Sequence, residues 1–407
     1  MNIRYGRSIQ FGRHVWAAPV RGRNNLNINV KYLPDCVQVV AYNKDGTKSA
    51  IFGNDTEEQG FDKIQFEITN TGCGAATISF KRYPTFAEIP YGQRLDIHLY
   101  ADSRPWWSGY VLSRPDNGGT EKDYKIVCHG FYNALKNKLI FGRYQDVEIS
   151  KIVIDICRQA EADTGIVVNT SKIYNTNFKV SDIVFDGINI QECLKQLAEF
   201  AVDWVYGIDE YREVYFKKRN DRINEEARFW VGRHLNEYIP SLDVDKVVNW
   251  AKIKGAKLDS NGEQWLTIVE DIESQQKYGR REAIWSLPSA YSEGDAERWG
   301  MSELRKYKDA VPSAKVKGLI LEYPRPDGKF WVRKLSTDGQ AAITNSEGTM
   351  TQYPITKLKY SIDAKNGIVC EMDLGEQPFI LEKYLLNIER SNKNNELLQQ
   401  ASNKQLR

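Results

Sequence analysis

Between residues 64 and 130 apolar and polar side chains alternate with a period of two, a pattern that only half-buried strands satisfy. In Arg94-Leu95-Asp96-Ile97-His98-Leu99-Tyr100, for example, Leu95, Ile97 and Leu99 share one face. Residues 64–69, 75–80, 106–113 and 124–129 read the same way. Pro115-Asp116-Asn117-Gly118-Gly119 separates the last two, and its residue types tolerate positive φ and favour a hairpin loop. The region is expected to form a compact antiparallel sheet, as a barrel or a sandwich.

Downstream the period changes. Ile149, Ile152, Val153, Ile156 and Ala160 recur at helical spacing, with Gly165 placed to stop the helix. Asn189 followed by Glu192 reads as a capping box for a second helix, whose apolar face holds Ile190, Cys193, Leu194, Leu197, Ala198 and Ala201. Residues 204–208 and 213–216 then bracket a turn at 209–212 as a hairpin, so residues 146–237 read as an α+β unit. Strand character returns at 247–255 and 264–270. It yields to a helix at 295–308 carrying Ala296, Gly300, Leu304 and Tyr307, ended by Pro312, and resumes at 314–323, 329–335 and 368–372. From Phe379 a polar helix carries Leu381, Leu385 and Ile388, with Asn392 and Asn395 continuing the stripe, a pattern fit for a short coiled coil only.

The 407 residues predict two to three domains at about 150 residues each. With 56 Lys and Arg against 54 Asp and Glu, the net charge of +2 speaks against a wholesale polyanion binder. Hydrophobic residues at 41% and aromatics at 12% suffice to bury cores. The longest apolar stretches, such as residues 37–42, fall far short of the roughly 20 residues of a membrane-spanning helix. The N-terminus lacks an apolar secretory core, so synthesis and folding in the cytosol are expected. Residues 1–34 contain Arg4, Arg7, Arg13, Arg21, Arg23 and Lys31 but no acid, and they read as an arm that orders against a neighbour, with the five arginines as interface candidates.

Local chemistry is sparse. The cysteines Cys36, Cys73, Cys128, Cys157, Cys193 and Cys370 form no C-x-x-C pair and read mostly as small buried hydrophobes. His14, His98, His129 and His234 are scattered without a zinc-peptidase spacing, and neither a G-x-S-x-G elbow nor a phosphate-binding P-loop occurs. Gly72-Cys73-Gly74-Ala75-Ala76-Thr77 precedes a strand instead of opening a helix, so it reads as a tight turn and not a dinucleotide loop. No catalytic residue, cofactor or metal ligand is expected. The adjacent Trp106 and Trp107 could offer a carbohydrate platform, but core packing is the favoured reading. Trp107, Tyr110, Trp204 and Trp250 are the structural core candidates.

The order of these features resembles the baseplate hub, or tail-associated, proteins at the distal end of phage tails. The first carrier is Ile89-Pro90-Tyr91-Gly92-Gln93-Arg94-Leu95-Asp96-Ile97, then 107–112 and 124–131, which is similar to that family's small-barrel series, with Gln93 in place of its usual acid. The second is the helix-to-hairpin run 190–216, and the third is 248–255 followed by Ser274-Gln275-Gln276-Lys277-Tyr278-Gly279-Arg280-Arg281-Glu282. The resemblance implies a multidomain α+β chain with two tail-tube-like antiparallel β-barrel domains, an α+β domain and a C-terminal helix. Its expected divisions are 1–145 (arm and first barrel), 146–237 (α+β, joined by the insertion 273–311), 238–272 with 312–377 (second barrel) and 378–407 (helix). It further implies a non-enzymatic virion protein, a homotrimer whose six tube-like domains adapt the sixfold tail tube to a threefold tip and form part of the DNA-ejection channel. The implied partners are the tail-tube ring, the tape-measure protein, tip, spike or fibre proteins and DNA in transit, with no stable membrane insertion. The alternative is a tail-tip lysin or a carbohydrate-binding host-recognition protein.

Overall fold

The computed structural model describes residues 37–375, apart from 54–59, 83, 86, 100–103, 115–123, 236, 258–263, 288–292, 320–321, 325–329, 333 and 364–366. The arginine-rich arm, the 115–119 loop and the helix expected from Phe379 therefore lie outside the described residues.

The period-two region folds as strands β1 (Val37–Tyr42), β2 (Lys48–Gly53), β3 (Phe61–Thr69), β4 (Gly72–Phe80), β5 (Arg94–Leu99), β6 (Trp107–Ser113) and β7 (Tyr124–Gly130). In β5 the expected face of Leu95, Ile97 and Leu99 is buried, and Asp96 on the opposite face is buried as well. The glycine-rich run 72–77, expected as a tight turn, lies instead within β4, and the turn falls just before it at Asn70 and Thr71.

A 3-10 helix (Phe131–Asn137) leads into β8 (Leu139–Glu148) and α1 (Ile149–Arg158). The single helix expected up to Gly165 is divided: α1 ends at Arg158, and Gly165, at φ 73°, caps a separate turn, α2 (Glu161–Thr164). Strand β9 (Lys179–Asn189) pairs with β8, and the Asn189 side chain caps α3 (Ile190–Ala201) by accepting from the Glu192 amide at 3.0 Å. The hairpin β10 (Trp204–Ile208) and β11 (Val214–Lys218) follows as expected.

The remainder comprises β12 (Ile223–Trp230), β13 (Glu237–Asp243), β14 (Trp250–Lys257), β15 (Gln264–Glu270), α4 (Ile272–Tyr278), β16 (Glu282–Ser286), α5 (Glu293–Tyr307), β17 (Val311–Leu319), β18 (Glu322–Pro324), β19 (Phe330–Val332), β20 (Gln340–Thr344), β21 (Met350–Asp363) and β22 (Gly367–Leu374). Pro312 lies inside β17 and not at the helix end.

The architecture is α+β and mostly antiparallel β. One large sheet runs in the order β13-β17-β22-β21-β3-β4-β7-β6-β5-β1-β2, and no ladder closes it from β13 to β2 among the described residues. Both β regions of the chain thus share one sheet, joined where β21 pairs with β3 from Lys357↔Thr69 to Asp363↔Lys63. They also share one apolar core, which runs from Val37 to Cys128 and takes in Ala227, Phe229 and the buried side chains of β17 and β20–β22. A second core holds the faces of α1, α3 and β9 with Ala251, Ile253, Val269, Ala296 and Leu304. Residues 238–272 are accordingly split: β13 ends the large sheet, whereas β14 and β15 form a three-stranded sheet with β16 under α5. β12, inside the stretch 146–237, pairs with β20 and packs in the first core.

Candidate functional site

The two cores meet where the β3–β4 turn, the β10–β11 hairpin and the segment 334–340 converge around a cavity of about 180 Å³. Strands β4 and β10 are joined by one parallel rung, Gly72↔Ile208, and the Ile208 amide donates to the Thr71 carbonyl at 3.1 Å. Such an approach requires glycine on both sides. A β-carbon on Gly207 would lie 2.3 Å from the Thr71 carbonyl oxygen. The Tyr215 hydroxyl donates to the Asn70 carbonyl at 2.6 Å, and the Thr337 hydroxyl donates to the Thr69 carbonyl at 3.2 Å. Burial, with smaller contributions from neighbouring acidic groups, holds the Tyr215 phenol well above its ordinary range, so it stays a hydrogen-bond donor.

Ion pairs cross the same joint. Lys334 Nζ lies 2.8 Å from Glu210 and also donates to the Pro105 carbonyl at 3.3 Å, and Lys217 lies 3.0 Å from Asp338. Glu210, Lys217, Lys334 and Asp338 were not legible as partners in the sequence. Gly207, set inside an apolar strand run, was the one local sign of a close backbone approach.

A second polar node sits on the face of β5 turned away from the first core. Asp96, fully buried, accepts from Ser108 Oγ at 2.6 Å, from Arg94 Nε at 2.9 Å and from Arg94 Nη2, and the Arg94 guanidinium lies 4.3 Å above the Tyr42 ring. The Ser108 hydroxyl is thus committed to the carboxylate, while His98 Nε2 stands 3.9 Å from Asp96. A serine nucleophile needs its proton directed to an imidazole, which is not the order here. The node's chemistry is charge compensation. Among the described residues no group of three or more His, Cys, Asp or Glu side chains is arranged to hold a metal ion.

The core candidates occupy four different settings. Trp107 is 0% exposed and donates from Nε1 to the Gly74 carbonyl at 3.2 Å; Trp106 is buried too, which removes this pair as a carbohydrate platform. Tyr110 is half-buried, lies 6.0 Å from the Phe131 ring against the second core, and accepts from Asn133 Nδ2 at 2.7 Å. Half-buried Trp204 stacks on Phe216 at 5.2 Å. Trp250, also half-buried, lies 4.6 Å beneath the Arg280 guanidinium. Arg4, Arg7, Arg13, Arg21 and Arg23 lie outside the described residues. Cys73, Cys128, Cys157, Cys193 and Cys370 are buried free thiols.

No family model matches the sequence, and no curated protein is recognisably similar to it. Solved structures are. The 43 kDa tail protein of prophage MuSo2 from Shewanella oneidensis superposes with a TM-score of 0.58 at 16% identity, over 83% of this chain and 98% of that one. A tail protein from Neisseria meningitidis MC58 gives 0.59 at 10% identity, over 84% and 96%. Prophage tail protein gp18 from Listeria monocytogenes EGD-e gives 0.55 at 14% identity, over 88% and 99%. This chain shares the fold of phage tail proteins.

Proposed function

We propose that the chain is a structural, non-catalytic component of a phage tail, working as a homotrimeric hub at its distal end. One observation carries this reading: the β21–β3 ladder sets two β regions from opposite ends of the chain side by side in one sheet. Each protomer would then offer two tube-like units, one built on residues 37–130 and the other on 311–374. Three protomers would present six such units to a sixfold tail tube, with threefold symmetry on the other side and a channel for DNA between. The second core and the β14–β16 sheet, from the chain between those units, would form the rest of the protomer. Neighbours in this reading are the tail-tube ring, the tape-measure protein and the tip, spike or fibre proteins, and the basic arm docks on an acidic surface of one of them.

Native mass spectrometry at assembly concentrations is expected to give the mass of three chains; a stable monomer, dimer or hexamer overturns the hub. Incubation with purified peptidoglycan is expected to release no fragments, and release would restore the lysin alternative.

A further inference from the structure

A second cavity, of about 140 Å³, opens between α3 and α5. It is well above the roughly 10–15 Å³ that a single water needs. Glu199 from the last turn of α3, Asp203 just beyond it, and Ser302 and Glu303 of α5 line it, with Trp204 and Tyr206 of β10 as aromatic wall. Ser302 is 3% exposed, and its hydroxyl has no hydrogen-bond partner in the structure. A buried hydroxyl left in that state is unfavourable unless something fills the space before it.

The lining holds three acids, Glu199, Asp203 and Glu303, and three bases, Lys195, Arg219 and Lys306, but two of the bases are already engaged. Lys306 is held by Glu303 at 2.5 Å, and Lys195 by Glu192 at 3.5 Å. With Glu192, outside the lining, counted against Lys195, the carboxylates of Glu199 and Asp203 share the one remaining cation of the lining, Arg219, beside an unanswered hydroxyl. Glu199 is correspondingly harder to ionise than an ordinary glutamate. Burial is the main cause, Lys195 partly offsets it, and Glu303 and Glu192 add to it. The backbone that presents Asp203 is held in an uncommon conformation, with Val202 and Asp203 at φ 60° and 59°, and the Arg219 amide fixes it by donating to the Asp203 carbonyl at 2.7 Å.

We propose that this cavity binds an organic cation through a primary ammonium or guanidinium head, which would donate to Glu199, Asp203 and the Ser302 hydroxyl together. The inference is independent of the hub reading. Two sources carry such a head: a free polyamine, or an arginine of the acid-free N-terminal arm.

The test titrates full-length protein with spermidine and, separately, with methylguanidinium, by calorimetry at fixed ionic strength, with tryptophan fluorescence as a second readout. One saturable site is expected for at least one of them. Glu199→Gln and Asp203→Asn should each weaken it about tenfold, the loss of one charge-assisted hydrogen bond. Ser302→Ala should weaken it less, and the distant exposed Glu225→Gln should leave it unchanged. Thermal melting identifies any variant that has failed to fold, in which case the other carboxylate variant decides. To separate the sources, Arg4, Arg7, Arg13, Arg21 and Arg23 are replaced together by Gln in the full chain. Tighter spermidine binding then identifies the arm as the occupant, and unchanged binding identifies free cations. Absence of saturable binding in both proteins, or wild-type affinity in folded Glu199→Gln and Asp203→Asn, overturns the proposal.

Discussion

Gly72 and Ile208 approach so closely that a β-carbon on Gly72 would lie 1.7 Å from the Ile208 carbonyl oxygen. They form the only rung between β4 and β10, and so the backbone seam between the two cores. Gly72 also has φ 101°, which L side chains rarely adopt. Gly72→Ala is therefore expected to cost about 3 kcal/mol or more, from backbone strain and forced separation of the seam. Melting monitored by near-UV dichroism checks it: a midpoint within a degree of wild type would mean that the seam yields without cost.

Trp107 ties β6 to β4 from inside the first core. Its ring sits where a β-carbon on Gly109 would come within 2.3 Å of it, and its indole N–H is satisfied by Gly74. Trp107→Ala should cost about 3–5 kcal/mol, the range for large buried aromatics. Chemical denaturation with a two-state fit measures this, and a loss under 1 kcal/mol would place the ring at a site able to collapse around the hole.

The strands that were legible and those that were not differ in a physical way. Within residues 64–66, 76–80, 95–99 and 126–128 the residues facing the core keep one parity, so the period of two survives there in the sequence, although β3 itself carries register shifts after Phe61 and Phe66. In β21 the buried residues are Tyr353 and Ile355, then Leu358, Tyr360 and Ile362: the parity switches at a register shift between Ile355 and Lys357, and Pro354 adds a strand-breaking signal. That irregularity hid the longest strand and with it the union of the two β regions. In β8, Leu139 and Phe141 are exposed while Ile140 is buried, so apolar residues on both faces masked the alternation. The joint itself unites Asn70 with Tyr215 and Thr69 with Thr337, contacts across 145 and 268 residues that no local pattern encodes.

Asp96 carries the only buried carboxylate among the described residues that bonds both an arginine and a serine. Asp96→Ala should cost about 3–5 kcal/mol, because Arg94 is left half-buried and uncompensated. The double variant Asp96→Ala with Arg94→Met should recover part of that loss, since removing both partners leaves no orphan charge. A double-mutant cycle by denaturation checks this, and strict additivity of the two single losses would show that the pair is not coupled.

Glu148 ties the start of α1 to the loop before β9 without any cation. One carboxylate oxygen accepts from the Ser150 amide at 2.8 Å, the Lys151 amide at 3.3 Å and the Ser150 hydroxyl; the other accepts from the Thr176 amide at 2.8 Å and the Thr176 hydroxyl at 2.5 Å. Burial alone would raise the pKa of this group, but the hydrogen bonds from Ser150 and Thr176 outweigh it, so the carboxyl titrates below the ordinary glutamate value. The sign follows from linkage. The unfolded chain takes up the proton first as pH falls, so the stabilisation is complete above the ordinary value of about 4.3 and is lost as pH drops through the lower folded value. Glu148→Gln removes the charge and turns one acceptor into a donor facing the Ser150 or Thr176 amide, which should cost about 1–3 kcal/mol at pH 7. The gap in melting temperature between wild type and Glu148→Gln should therefore be constant from pH 7 to about pH 5 and shrink below about 4.3. A gap that persists unchanged at pH 3 would mean that the carboxylate's charge contributes nothing and that only the shape of the cap matters.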